Sequence, residues 1–153
     1  MAHVPGLRSP YARVGRLIYF GRMLDKIRLH AAGKLPADYV KNIGDDNMLH
    51  ADGRCCRFLG VRYAELAART LAGGTDEEIL AWAESRGPGR TDEECYIFNC
   101  FSAKRGWRDQ RTAGMKKLIA ENGLEGKPIE TMFDFIDFDE GRDPAEARAW
   151  IAS

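Results

Sequence analysis

Apolar positions recur at Phe20, Met23, Leu24, Ile27 and Ala31, the 3.6-residue beat of a helix with one buried face, and Gly33 supplies a stop. The spacing predicts a helix over residues 20–32. Upstream, residues 1–9 read as an irregular arm. The stretch YARVGRLIYF is divided: Gly15 weakens a helix, whereas Leu17 to Phe20 would suit a short buried extended piece. Residues 34–62 hold Pro36, Gly44, Gly53 and Gly60 among several Asp and Asn, which predicts loop with at most short turns of helix. Loops of this length in a compact domain often carry function.

The helical beat returns at Tyr63 and runs to Ala72, closed by Gly73 and Gly74. Thr75-Asp76-Glu77-Glu78 then forms a capping box, in which the Thr hydroxyl and the Glu side chain each satisfy an otherwise unpaired N–H. A helix to Arg86 follows, ended by Gly87-Pro88-Gly89. Thr91-Asp92-Glu93-Glu94 repeats the device and opens a helix to Lys104. Further helices are predicted over 108–122, with Gly123 as stop, over 130–137, and from Asp143-Pro144 to Ala152, where Asp is the cap and Pro takes the first turn. No long alternating run of the strand type occurs. The pattern describes an all-α, compact bundle of about six or seven helices, with a long loop between the first two.

Composition limits the class. The 153 residues, 44% hydrophobic and 30% charged, suit one globular domain over 1–153. No stretch approaches the roughly 18 apolar residues of a membrane span. The N-terminus, with Pro5, Gly6 and Arg8 and no apolar run behind them, does not resemble a signal peptide, so a cytoplasmic location and no membrane partner are expected. Cys55, Cys56, Cys95 and Cys100 show no disulfide framework, and reduced thiols are expected.

Charge changes the picture more. The 23 cations and 23 carboxylates cancel, but residues 1–36 carry Arg8, Arg13, Arg16, Arg22, Lys26, Arg28 and Lys34 against Asp25 alone, whereas residues 121–153 are rich in carboxylates. Three pairings are open: the acidic end folded over the basic third, the two ends joined between subunits, or the basic segment facing an anionic ligand or nucleic acid.

The basic segment peaks in GRMLDKIRLHAAGK, residues 21–34. On a wheel, Arg22, Asp25, Lys26 and Leu29 lie opposite the apolar face, with Arg28 and His30 at its borders, and an Arg22–Asp25 pair is expected. Such a face is either a solvated back or, if covered, a cluster that must be hydrogen-bonded or bind something, because isolated buried charges are costly. In the second case Arg22, Lys26, Arg28 and His30 would hold a carboxylate or phosphate, with Asp25 orienting it or acting as a base.

LRSPYARVGRLIYFGRMLDKIRLHAAGKLP, with RFLGV at 57–61, GGTDEEILAW at 73–82 and MFDFIDFDEG at 132–141, resembles the DUF5069 family over nearly the whole chain. Arg-Ser-Pro at 8–10 and Arg-Met-Leu-Asp-Lys at 22–26 are its more specific strings. The resemblance implies a small bacterial protein and lends no catalytic residue. Because its pattern includes Arg22, Asp25 and Lys26, it favours a working polar face.

Other features add less. Cys55-Cys56 near His50 lacks the spaced pairs of a zinc site, so no metal is expected, and no phosphate loop, dinucleotide fingerprint or nucleophile elbow implies a cofactor. Asp134, Asp137 and Asp139 interleave with Phe133, Phe135, Ile136 and Phe138, a segment expected to anchor by its aromatics while its acids face the basic third. SAKRGWRDQR at 102–111 could clamp single-stranded nucleic acid, but the neutral balance argues against that as a main role. Its cations are expected at helix ends, with Trp107 as a packing anchor. Two functions stay open. One is a small-molecule protein or enzyme binding an anion on the Arg22 face; the other is a non-catalytic interaction module, self-association included. The first requires that face in a concave pocket, the second requires it, or an apolar patch, openly exposed.

Overall fold

The computed structural model describes residues 3–148. Nine helices and one two-stranded hairpin are present among them. The hairpin pairs β1 (Arg13–Val14) with β2 (Leu17–Ile18) in antiparallel register, Arg13 opposite Ile18 and Val14 opposite Leu17. The divided YARVGRLIYF stretch is therefore the extended piece, folded back at Gly15. The helices are α1 (Phe20–Ala31), α2 (Ala37–Val40), α3 (Ala51–Leu59), α4 (Tyr63–Leu71), α5 (Asp76–Arg86), α6 (Asp92–Lys104), α7 (Thr112–Glu121), α8 (Met132–Asp139) and α9 (Pro144–Ala147). The predicted extension of the last helix to Ala152 falls outside the described residues. No described helix is long and apolar enough to cross a membrane.

Helix α1 is the centre of the molecule. Phe20, Met23, Leu24 and Ile27 are buried, and they join one core with Leu66 of α4, Ile79, Leu80 and Ala83 of α5, Phe98 of α6 and Phe133 of α8. A second cluster joins Val4 and Leu7 of the N-terminal arm to Leu35 and to Tyr39 of α2, so the irregular arm is packed down. Both Thr caps form as the sequence predicts: the Thr75 hydroxyl accepts from the Glu78 N–H and the Thr91 hydroxyl from the Glu94 N–H, each at 3.1 Å.

The long loop is corrected. Residues 34–62 contain α2 and the nine-residue α3, whose Asp52, Gly53, Cys55, Cys56 and Leu59 are buried. Gly53 does not break α3. A Cβ there would lie 3.2 Å from the Asn47 carbonyl oxygen and 3.3 Å from the Asp45 Cα, so its absence lets the preceding loop lie against the helix. Helix α7 starts at Thr112 instead of 108, because a turn intervenes in which Asp109 accepts from the Gly106 and Arg111 N–H groups. Helix α8 starts two residues late, where the Thr131 hydroxyl accepts from the Asp134 N–H at 3.2 Å. Trp107 is not a packing anchor: it is 48% exposed, with the Arg108 guanidinium over its ring.

Candidate functional site

A cavity of about 480 Å³ opens beside α1, walled also by α2, α3, α6, α7 and α8. Its wall is charged unevenly. Arg22, Lys26, Lys41, Arg54, Arg105 and Arg111 line it against the carboxylates Asp38, Asp139 and Glu140. Helical geometry explains the first two, since positions four apart stand one above the other on a helix face.

Arg22 is nearly fully buried and held from several sides. Its two terminal nitrogens donate to the two oxygens of Glu140 at 2.7 and 2.6 Å, and Nη1 also donates to the Arg8 carbonyl oxygen at 3.0 Å. Glu140 further accepts from Arg142 Nη1 at 2.6 Å and from the Tyr39 hydroxyl at 3.0 Å. Burial alone would raise the Glu140 pKa, but the bonds and charge of Arg22, with Arg142 behind it, hold it below the usual glutamate value. The expected Arg22–Asp25 pair is therefore replaced. Asp25 accepts from Arg8 Nε at 2.7 Å and Nη2 at 2.8 Å, on a different side of α1.

One turn on, Lys26 enters a buried triad. Its Nζ donates to the Tyr19 hydroxyl at 2.8 Å and to Asp52 Oδ1 at 2.6 Å, and the Tyr19 hydroxyl donates to the same Oδ1 at 2.6 Å. Asp52 Oδ2 has no hydrogen-bond partner among the described residues. Burial pulls the Lys26 pKa down, with Asp52 acting against it, and pushes the Tyr19 phenol well up. Tyr19 reaches this position through a left-handed backbone, φ 70°, between β2 and α1. A non-glycine residue there costs about 1–3 kcal/mol, and such strain gathers at functional sites.

Across the cavity, Arg54 of α3 and Arg105 stack on one ring, their guanidinium carbons 5.0 and 6.0 Å from the Phe101 centroid. Arg105 reaches Asp109 at 3.4 Å. Arg54 has no ion-pair partner among the described residues. Its burial, followed by the charges of Arg105 and Arg57, lowers its pKa, which is the condition of a cation short of counter-charge.

Of the residues singled out by sequence, Arg22 and Lys26 lie on this wall. Arg28 does not: its Nη2 donates to Asp76 Oδ1 at 2.7 Å, within a surface cluster that includes Arg8 and Asp25. His30 is exposed at the end of α1. Of the four residues expected to act together, only Arg22 and Lys26 border the cavity, because the wheel angle separates them from Asp25 and Arg28 once the neighbours of α1 are in place. Sequence reasoning missed Tyr19, Arg54 and Glu140 as parts of one wall, and Asp52 buried behind it against Lys26 and Tyr19. Arg105 and Arg111 carried a signal, the cation cluster of 102–111, and both line the cavity.

The remaining candidates are placed elsewhere. Cys55 and Cys56 are buried, and burial raises both thiols, Cys56 to about 12, so neither is a ready thiolate. Among the described residues no group of three or more His, Cys, Asp or Glu is placed to hold a metal ion. Asp134 and Asp137 meet the N-terminal third: the Tyr11 hydroxyl donates to Asp134 at 2.7 Å and the Ser9 hydroxyl to Asp137 at 2.8 Å.

These features define a class, a small and mostly helical protein with a charged cavity built against its central helix. More particularly, residues 4–142 match the family described as a domain of unknown function, DUF5069, and the chain belongs to that family. No curated protein matches the chain.

Proposed function

We infer that the protein binds a small anionic molecule, a carboxylate or a phosphate ester, in the cavity beside α1. The observation that carries this reading is Arg54, a half-buried guanidinium flanked by Arg105 and Arg57 and lacking an ion-pair partner among the described residues. An anion between Arg54, Arg105 and Arg111 would supply the missing counter-charge, and guanidinium groups accept carboxylate and phosphate oxygens in pairs. The volume, about 480 Å³, is that of a metabolite pocket, for which the range is roughly 300–1,000 Å³. Arg22 acts differently from the role first expected of it: committed to Glu140, it shapes the wall and is not free to grip a ligand.

The charges that an interaction module would present to a partner are largely used within the chain, in the Arg22–Glu140, Arg142–Asp137 and Arg148–Asp134 pairs. That supports the ligand reading over the docking one. Titration calorimetry with inorganic phosphate and with citrate tests it. Wild type is expected to bind at least one of them, and Arg54→Gln to lose that binding while keeping its fold by circular dichroism. Equal binding by both proteins, or none by wild type, would reject the assignment.

A further inference from the structure

Lys26, Tyr19 and Asp52 look at first like a structural ion pair with a hydroxyl beside it. Three observations argue for more. A buried ion pair is weak evidence of stabilisation, since apolar residues of similar volume often serve as well. A pair retained for stability alone would have both carboxylate oxygens satisfied, yet Oδ1 of Asp52 takes both hydrogen bonds and Oδ2 takes none among the described residues, although Asp52 is completely buried. The phenol is brought there by a strained backbone, and Tyr19 and Lys26 both border the cavity.

We propose that Lys26 is a nucleophilic amine that condenses with the carbonyl of a small oxo acid or anionic aldehyde bound in the cavity, forming an imine. The proposal rests on the anion reading, which supplies the group holding the acid end of such a substrate. Burial and the neighbouring Arg22 charge favour the neutral amine, as in other lysines activated by desolvation and a second cation.

The triad provides the proton positions that this chemistry needs. The Lys26 ammonium first passes one proton to Asp52 Oδ1, the oxygen 2.6 Å from both Lys26 Nζ and the Tyr19 hydroxyl, and the amine is left neutral. The amine then attacks the carbonyl carbon. A C–N bond forms, the C–O double bond opens, and a second proton moves from nitrogen to the carbonyl oxygen to give a carbinolamine. Tyr19 donates its hydroxyl proton to that oxygen and takes the proton held by Asp52. Water leaves, the C=N bond forms, and Asp52 is again a carboxylate. Overall one ammonium and one carbonyl give one iminium and one water, with no other reactant consumed.

The test is reductive trapping on the intact wild-type chain. Protein is incubated with glyoxylate, pyruvate or pyridoxal phosphate, reduced with borohydride, digested and mapped by mass spectrometry, with and without inorganic phosphate. A reduced adduct concentrated on Lys26, above the exposed Lys116 and Lys117, is expected. It should be lost in Lys26→Arg, which keeps a cation beside Asp52. Phosphate should reduce the labelling. Adducts spread over surface lysines with Lys26 spared for all three probes would overturn the imine assignment. If phosphate raises the melting midpoint while Lys26 stays unlabelled, this inference fails and the anion site stands. If Lys26 is labelled but phosphate neither protects it nor binds, the imine chemistry stands and the anion reading fails.

Discussion

Arg22 and Arg54 are the same side chain under opposite electrostatic conditions, and substitution should separate them. Arg22 neutralises a buried carboxylate, so Arg22→Met leaves Glu140 to Arg142 and Tyr39 alone. The expected loss is about 3 kcal/mol in urea unfolding, the lower part of the range for breaking a buried pair. A loss under about 1 kcal/mol, the scale of an exposed pair, would mean that Arg142 suffices. The pair also predicts the acid limb of stability. Glu140 has a folded pKa below its unfolded one, so its stabilisation is complete above the ordinary glutamate value and is lost as pH falls through the folded value. Asp137, raised by burial, contributes with the opposite sign. Wild type should therefore lose stability more steeply below about pH 4.3, the ordinary glutamate value, than Glu140→Gln does, and equal slopes would reject the linkage. Sequence made Arg22 and Lys26 legible because residues four apart share a helix face. It did not reveal their partners, since Glu140 and Asp52 approach from distant segments that a wheel does not include.

The elements most legible in the chain are those with local chemistry at their ends. The Thr75 and Thr91 hydroxyls each cap an N–H three residues on, so α5 and α6 start where the pattern places them. Helix α3 was hidden because its evidence is tertiary: a glycine at 53 reads as a breaker until a loop is seen to pass over it. The same dependence on close backbone approach governs the far end of α3. Gly87, just past α5, has an ordinary backbone, φ −98° and ψ −167°, but a Cβ on it would lie 1.8 Å from the Leu59 carbonyl oxygen at the end of α3. Gly87→Ala must therefore push α3 and α5 apart, at a cost of about 1–3 kcal/mol, as for overpacked cores. The check is a lowered urea midpoint at unchanged slope, which marks a loss of stability without a change in compactness. A midpoint equal to wild type would mean that the two helix ends separate freely.

Across the whole molecule, zero net charge conceals a division of labour. The acidic C-terminal segment folds over the basic N-terminal third, where Glu140 takes up Arg22 while Asp134 and Asp137 accept from the Tyr11 and Ser9 hydroxyls; the cations paired with those two aspartates are Arg148 and Arg142 of the same segment. The cavity wall keeps six cations against three carboxylates, and Arg54, like Arg111, makes no ion pair among the described residues. That excess was not legible in sequence, because Lys41, Arg54, Arg105 and Arg111 become neighbours only when four helices and a loop converge. An uncompensated charge held for a ligand costs stability while the ligand is away, as active-site features commonly do. Arg54→Met keeps most of the side-chain bulk over Phe101 and removes the charge. Without ligand it should unfold at higher urea than wild type, by about 0.5 kcal/mol or more, the usual gain from relieving an unfavourable charge. With saturating inorganic phosphate the order should reverse, since a ligand that binds only the native state stabilises wild type by about 2.7 kcal/mol at a hundred times its Kd. Paired urea titrations, with and without phosphate, read both differences. If Arg54→Met is weaker in both, the guanidinium is held for its contact with Phe101, an interaction of about 0.5–1 kcal/mol at exposed sites, and the wall is structural instead of poised for an anion.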